Sequence, residues 1–433
     1  MATNVSSSQL TANFKEAYAS DLKVLYPDVA KLQKEIGELT SAERVGNKYH
    51  QPVLLTKEQG YTYGGQSGDA YALNTPVALS SGDAQLEGSE GTLASRISYR
   101  AAAKAVASAK AFKQTVGIVI KSNLASHGLR KELEMWYGKS PTGICATSAG
   151  NADSSTQETL TITPASWGVG IWSGQEGAQL NAFRIDTGAL ISSAADAIFT
   201  LTAIDPDNKK ITLTGTSTGC TALHAQASQL YLDWNGARTT NFTTYVASEG
   251  LDYAMTLASG NTLWNVSTTN SLWRGNSYSC SSGALNFGKV LAGVQKAVGK
   301  AGLDEELSLF VSTDTFPSLA DSFAAARQLD NSYDSSEGKN GVEKITYVGA
   351  NGVIRVIPHS VIKGGEAFGL PVKGGHVKKV GSTDITLTTQ GQGSDLFLHL
   401  PSNNGFEFRS YSDFCVFFDE PAKGIKFTTI VNP

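Results

Sequence analysis

Two long stretches of the chain place apolar residues three or four positions apart, the spacing of one helix face. In residues 1–45 this face consists of Phe14, Leu22, Leu25, Val29, Leu32 and Ile36. This stretch, which Pro27 should kink or break, predicts either an arm that packs on another body or a terminal helix on its own domain. In residues 105–137 the face consists of Val106, Ala109, Phe112, Val116, Ile120, Leu124 and Leu133. With no internal proline, it predicts one helix of roughly 50 Å that ends near Gly138 and Pro141.

Residues 46–104 contain many glycines and alternating side chains, which predict extended chain. Residues 93–99 alternate apolar and polar positions, and Tyr49 lies in an earlier apolar stretch. The polar, Gly/Ser-rich residues 80–91 between them predict the flexible tip of a projecting hairpin. Because an isolated two-stranded hairpin is marginally stable in water, we expect this one to rest on another subunit.

Short strand patterns dominate residues 142–238. Residues 199–204 and 210–214 flank the turn sequence Asp-Pro-Asp-Asn, and residues 230–234 form a further strand pattern before an Asn-Gly turn. Short strands at this spacing predict a small β-barrel.

Helix and strand patterns mix in residues 239–375, and strand patterns return in residues 376–433. A helix of period 3.6 begins near Phe287 and stops at Gly302, and residues 307–311 read as a buried strand. A second helix, capped by Asp314 or Thr315, runs to about Leu329. Residues 342–348 and 353–357 predict a hairpin across Asn351-Gly352. The chain ends in strands at residues 414–418 and 425–430.

Composition adds that the surface is weakly charged. The chain of 433 residues is 41% hydrophobic and 17% charged, with a formal net charge of −4. Its length predicts two or three lobes. Low charge fits a protein that buries much of its outside against neighbours, although small residues in turns and sheet surfaces would give the same composition. The charge excludes a strongly basic nucleic-acid reader. The polar N-terminus predicts no secretory signal, and no apolar run has membrane length.

Motifs for catalysis or metal binding are sparse, and we expect no catalytic, metal or cofactor site. Four scattered cysteines match no zinc pattern and predict buried free thiols, and no two of the six histidines share a helical turn. Residues 215–219 read Gly-Thr-Ser-Thr-Gly, the nucleophile-elbow spacing, with Ser217 as the candidate nucleophile. The following residues show no strong helical stripe, so the pattern favours a turn of the barrel. Asp413, Asp419 and Glu420 form either a carboxylate pair or, as we favour, solvated strand ends.

The order of the segments resembles the major capsid proteins of tailed bacteriophages, which share the Hong-Kong-97-type fold. The stretches that carry this resemblance are residues 46–53, 132–138, 198–215, 229–236, 273–275, 310–327, 351–358, 405–409 and 421–430. The resemblance implies an α+β fold with six parts: an N-terminal arm (1–45), an extended loop (46–104), a spine helix of the peripheral domain (105–141), an inserted β-barrel (142–238), an axial domain (239–375) and closing peripheral strands (376–433).

The function implied by the resemblance is self-assembly into an icosahedral head shell around phage double-stranded DNA, without enzymatic activity. The expected partners are copies of the same chain in pentamers and hexamers, a scaffold, a portal and decoration proteins. Assembly is expected in the bacterial cytoplasm, and the final location is the virion. The candidate inter-subunit contacts are Tyr49, Tyr61, Tyr63, Trp167 and Trp172. Two alternatives stay open: another self-assembling subunit (an encapsulin-like shell, tail or surface layer) and a serine hydrolase that uses Ser217.

Overall fold

The computed structural model describes residues 30–37, 39–40, 44–45, 48–66, 68, 70–99, 109–226, 230–327, 345–349, 352–387, 398–400 and 404–432. Most of the predicted arm, up to residue 29, lies outside these residues. No helix among them combines the length and the hydropathy that crossing a membrane requires.

Helix α2 (Ala109–Tyr137) is the predicted spine, and its predicted end at Tyr137 is confirmed. Its 29 residues span about 43 Å. Leu129, Leu133 and Trp136 are fully or almost fully buried, because the last turns of this helix are covered on several sides. One of the covering elements is helix α1 (Lys31–Ile36), the described end of the arm, whose Leu32 is buried.

The extended loop is a hairpin whose tip differs from the predicted one. Five strands precede the spine: β1 (Leu39–Thr40), β2 (Arg44–Val45), β3 (Lys48–Leu54), β4 (Ser81–Glu87) and β5 (Glu90–Ser98). Strand β4 pairs with β3 from Lys48↔Glu87 to Leu54↔Ser81, so most of the polar residues 80–91 lie in β4 and the start of β5 and not in a tip. Only Ala84 and Leu86 of β4 are buried, which is why the strand reads as polar. The tip is the intervening loop, residues 55–80.

The predicted barrel is confirmed. Its strands are β6 (Cys145–Ser154), β7 (Gln157–Ile162), β8 (Gln179–Arg184), β9 (Ile198–Asp205), β10 (Lys210–Thr214) and β11 (Leu230–Trp234). Among the described residues they close in the order β10-β7-β6-β11-β8-β9. Alternate side chains such as Leu160, Leu213 and Leu232 fill the interior and have no exposed surface. Short helices lie between β7 and β8, α3 (Val169–Trp172), and between β10 and β11, α4 (Ser217–Ala225).

The axial sheet carries the predicted hairpin. A short helix, α5 (Leu251–Thr256), and a short strand pair, β12 (Thr262–Leu263) and β13 (Val266–Ser267), come first. The strands that follow are β14 (Asn276–Gly283), β15 (Leu307–Val311), β16 (Ile345–Gly349), β17 (Gly352–Pro358) and β18 (Ala367–Leu370). Strands β16 and β17 pair from Gly349↔Gly352, around the turn that we predicted; Asn351 lies outside the described residues. The helices are α6 (Phe287–Ala301), ended by Gly302 as predicted, and α7 (Phe316–Arg327).

The last strands divide between two sheets, which the sequence did not predict. These strands are β19 (Val377–Thr386), β20 (Leu398–His399), β21 (Gly405–Phe418) and β22 (Ile425–Ile430). Strand β21 joins β19, β20 and the loop strand β5 in the peripheral sheet. We expected residues 376–433 to belong entirely to that sheet, but β22 instead pairs with β14 and β18 in the axial sheet. The C-terminus therefore ties the two sheets together.

One buried carboxylate joins the arm, the spine and the axial domain. Glu132 of α2 has no exposed surface and accepts hydrogen bonds from the backbone N–H groups of Leu32, at 2.7 Å, and Gln33, at 3.2 Å. Both N–H groups lie in the first turn of α1, where backbone donors have no partner within the helix. The same carboxylate accepts from Trp136 Nε1 at 3.2 Å and lies 2.9 Å from Nε2 of His359, which follows β17.

We expect Glu132→Ala to lower the free energy of unfolding by about 3–5 kcal/mol, because it leaves buried donors of three elements without an acceptor. Urea unfolding followed by tryptophan fluorescence measures this change. Glu176→Ala, at an exposed position, is the control and should change stability by less than about 0.5 kcal/mol. Equal effects of the two substitutions would contradict the role given to Glu132.

His127 of α2 makes stability depend on acid pH. Its ring lies between the Ser410 and Ser412 hydroxyls, at 2.7 and 2.8 Å. Burial, together with nearby Lys131, lowers its pKa to about 4, and Glu134 partly opposes this shift. In this pH range the unfolded chain therefore binds a proton at His127 that the folded chain does not bind. As a result, the free energy of unfolding falls as pH drops from 6.5 towards 4. The difference in unfolding free energy between the parent chain and His127→Gln should shrink by about 2–3 kcal/mol between pH 7.5 and 4.5. A constant difference would contradict this.

Candidate functional site

The loop between β3 and β4 presents a group of large apolar side chains to solvent. Tyr61 and Tyr63 are 77% and 86% exposed. The exposed group, which we name the loop patch, consists of Leu54, Tyr61, Tyr63, Tyr71, Leu73, Val77 and Leu79. Scattered exposed apolar residues are normal on a protein surface, but seven within 26 residues form a patch of the kind that marks an interaction site.

Hydrogen bonds within the loop join its two sides. Asn74 donates from its backbone to Thr62 Oγ1, at 2.8 Å, and from its side chain to the Tyr61 carbonyl, at 2.9 Å. The rings of Tyr61 and Tyr63 pack edge to face, with their centroids 4.9 Å apart. Gly60 has a φ of +116°, and a Cβ there would lie 2.8 Å from Pro76 Cα. The close approach of the two sides of the loop therefore requires glycine at this position. A preformed patch loses less conformational entropy on binding than a disordered loop would.

Three of the five predicted contact residues lie inside the chain's own core. Tyr49 and Trp167 are 3% exposed and Trp172 has no exposed surface, so none of the three offers a surface to a partner. Tyr49 packs edge-on against Phe417 of β21 and fixes the base of the extended loop. Tyr61 and Tyr63 stay as predicted contacts. The rest of the loop patch was not predicted, although the density of apolar residues among glycines was a usable signal for an exposed contact surface.

The segment around Ser217 is a helix start and not a barrel turn as we predicted. Helix α4 (Ser217–Ala225) directly follows β10. Thr216 caps it: its hydroxyl accepts from Gly219 N at 3.0 Å and donates to Asp196 at 2.7 Å. The helix was missed because its nine residues bury only Gly219, Cys220 and Leu223.

Ser217 has no base hydrogen-bonded to its hydroxyl among the residues that the structure describes. Within the described part of the chain, the Ser217 hydroxyl makes no hydrogen bond. The nearest histidine in sequence, His224, lies two helical turns along α4, about 10 Å away, and is paired with Glu158 at 3.0 Å. A serine nucleophile needs a base within hydrogen-bond reach, and His224 does not provide one.

A cluster at the junction of the two sheets resembles a metal site in residue type. His376, Asp419 and Glu420 bring one potential ligand atom each within 4.8 Å of one another. The Lys423 ammonium already occupies this cluster, at 3.1 Å from His376 Nε2 and 3.0 Å from Glu420. The hydrogen bond to Asp419 raises the pKa of His376, which also favours a cationic ring over a metal-binding one. The cluster is an ion-pair network. Asp419 and Glu420, which we favoured as solvated strand ends, are therefore part of it.

The four cysteines are buried and unpaired, as predicted. Burial raises the pKa of the Cys415 thiol to about 12 and raises that of Cys145 further. Such thiols are neutral at physiological pH and unreactive.

Comparison with solved structures identifies the fold. No known family model and no curated protein matches the chain. The capsid asymmetric unit of cyanophage A-1(L) superposes with a TM-score of 0.55 at 10% identity, over 98% of this chain and 99% of that one. The capsid of phage XM1, a member of the Myoviridae, matches with a TM-score of 0.46 at 8% identity, over 97% and 98% of the two chains. The native GTA particle capsid matches with a TM-score of 0.45 at 9% identity, over 98% and 99%. The predicted α+β capsid fold with an inserted barrel is confirmed.

We expect no labelling of Ser217 by a fluorophosphonate serine-hydrolase probe, because no base in the described residues is hydrogen-bonded to the hydroxyl. The assay is in-gel fluorescence of the purified chain at neutral pH, with trypsin as the positive control. Labelling that disappears in Ser217→Ala would contradict the expectation and would revive the hydrolase hypothesis.

Proposed function

We propose that this chain is the major capsid protein of a tailed phage, which assembles through contacts between its own copies into an icosahedral shell around double-stranded DNA. The observation that carries the proposal is the ordered loop patch on a body with a phage capsid fold. A single copy leaves this patch in water, whereas a neighbouring copy would remove it from water.

The physical basis of assembly is repeated burial of modest areas. Burying apolar surface is worth about 25 cal/mol per Å², and each copy in a ring both gives and receives a contact of the same kind. Head-to-tail contacts that close on themselves produce pentamers and hexamers. Individually weak contacts therefore sum to a stable shell.

The remaining roles follow from the same proposal. The shell would be built in the bacterial cytoplasm with a scaffold and a portal, would bind decoration proteins on its surface, and would enclose DNA without reading its sequence. A net charge of −4 suits a wall that does not grip a polyanion. No enzymatic step is assigned to the chain.

A second candidate is a different assembly of the same fold, such as a small encapsulin-like compartment or a tail or surface-layer subunit. The inserted barrel favours a phage head, because encapsulin-type shells resemble only the core fold and lack such an insertion. Particle shape and diameter separate these candidates.

The direct experiment is negative-stain electron microscopy of the chain expressed alone and with the scaffold encoded beside it. Closed shells of phage-head size, or rings of five or six, are the expected result. A strictly monomeric species in both preparations would contradict the proposal, and tubes or flat lattices would favour the second candidate.

The double substitution Tyr61→Ser/Tyr63→Ser should reduce the yield of closed particles by about tenfold or more, because it removes two exposed rings from the contact surface. The unassembled chain should keep its unfolding midpoint, since neither ring is buried. Ile185→Ser, at an exposed apolar position on the barrel, is the matched control and should leave particle yield near the parent value. Full yield from the double variant would remove the loop patch from the assembly contact.

A further inference from the structure

A cleft of about 220 Å³ lies beside the spine helix and has no part in the loop patch. The end of α2 forms one wall, with Arg130 and Leu133. The end of strand β11 forms the second, with Trp234, and residues 245–247 form the third. This volume is below the 300–1,000 Å³ of typical small-molecule sites, so the cleft fits one side chain and not a large ligand.

The guanidinium of Arg130 is held flat in this cleft with its donors free. Its central carbon lies 3.3 Å from the centre of the Trp234 ring, so the face of the guanidinium is used in stacking. Within the part of the chain that the structure describes, Arg130 makes no hydrogen bond and no ion pair. The N–H groups at the edge of a stacked guanidinium form a rigid fork that matches a carboxylate in two-point contact.

The other charged groups of the cleft are already engaged. Glu134 pairs with Lys131 at 2.8 Å, Asp233 pairs with Arg238 at 2.5 Å, and Lys139 pairs with Glu249 at 3.0 Å. The remaining carboxylate, Glu90, accepts a hydrogen bond from the Tyr411 hydroxyl at 3.2 Å. Arg130 is thus the one charged lining residue, among those described, with neither a hydrogen bond nor an ion pair. Burial lowers its pKa to about 10, against the field of Asp233, so it stays charged at neutral pH.

We propose that the Arg130–Trp234 cleft binds a carboxylate side chain from a second copy of this chain in the assembled shell. The inference rests on the proposed function for the source of the carboxylate. A DNA phosphate would offer the same two-point contact, and the comparison of empty with DNA-filled particles distinguishes it from a carboxylate. An interfacial Arg–carboxylate pair of this kind fixes the register between subunits more than it adds bulk affinity.

The first test is the reactivity of Arg130 towards phenylglyoxal, quantified by peptide mass spectrometry. Unassembled chain, empty particles and DNA-filled particles are compared, with Arg184 of the barrel as the internal reference. We expect modification of Arg130 to slow by about tenfold in both kinds of particle relative to the unassembled chain. Equal reactivity in chain and particles would overturn the inference. Protection in DNA-filled particles alone would assign the cleft to phosphate and overturn it as well.

Adding succinate to the unassembled chain tests whether the cleft binds a free small carboxylate. If succinate protects Arg130 there while assembly does not, the cleft is a small-molecule site and the second-copy proposal fails.

The second test compares Arg130→Gln with Arg130→Lys. Arg130→Gln should change the unfolding midpoint of the unassembled chain only slightly, because loss of the stacking on Trp234 is offset by removal of a half-buried charge that has no ion-pair partner among the described residues. Its particles should dissociate at a lower guanidinium concentration than the parent's, and Arg130→Lys should be intermediate, since it keeps the charge and loses the fork. A lower midpoint of the unassembled chain with unchanged particle stability would make Arg130 a residue of the fold and overturn the inference. Absence of any particle from the parent chain, both alone and with the scaffold, would instead refute the proposed function.

Discussion

The buried end of the spine helix is the constraint on which the rest of the structure depends. Glu132 cannot lie without exposed surface unless donors surround its carboxylate, and those donors come from the arm, the spine itself and the axial domain. Trp136, one turn later, packs against Phe310 and Phe368 of the axial sheet, with ring centroids 5.1 and 5.2 Å away. Polar and apolar contacts at one place therefore fix the arm and the axial sheet relative to the spine.

A second buried network, around Lys426, fixes the C-terminal strand β22 relative to the end of the spine helix. Lys426 of β22 donates to Asp252 of α5 and to Glu366, the latter at 2.8 Å, and these carboxylates raise its pKa. The Asp252 carboxylate also accepts from Ser140, just beyond the spine helix. Buried pairs of this kind add little net stability, but they penalise alternative packings in which one partner is unpaired. A body held in this way presents the extended loop in one direction.

The sequence predicted what local periodicity controls and failed where distant contacts decide. The spine end, the barrel and the Asn351-Gly352 hairpin follow from helix stops, alternation and turn residues. Strand β4 was taken for a tip because only one of its faces is covered, by residues far along the chain. The sheet that receives β22 depends on pairing with β14, about 150 residues earlier, which no local pattern records. Tyr49, Trp167 and Trp172 are aromatic residues in turn-rich sequence, and only the tertiary fold decides whether such rings face a core or a partner.

The central claim is that the loop patch is the surface through which one copy contacts the next. A cryo-electron microscopy reconstruction of assembled particles at side-chain resolution tests it most directly. Residues 55–80 should lie on a neighbouring copy, with the Tyr61 and Tyr63 rings removed from solvent. Particles in which this loop projects freely, with both rings still exposed, would contradict it.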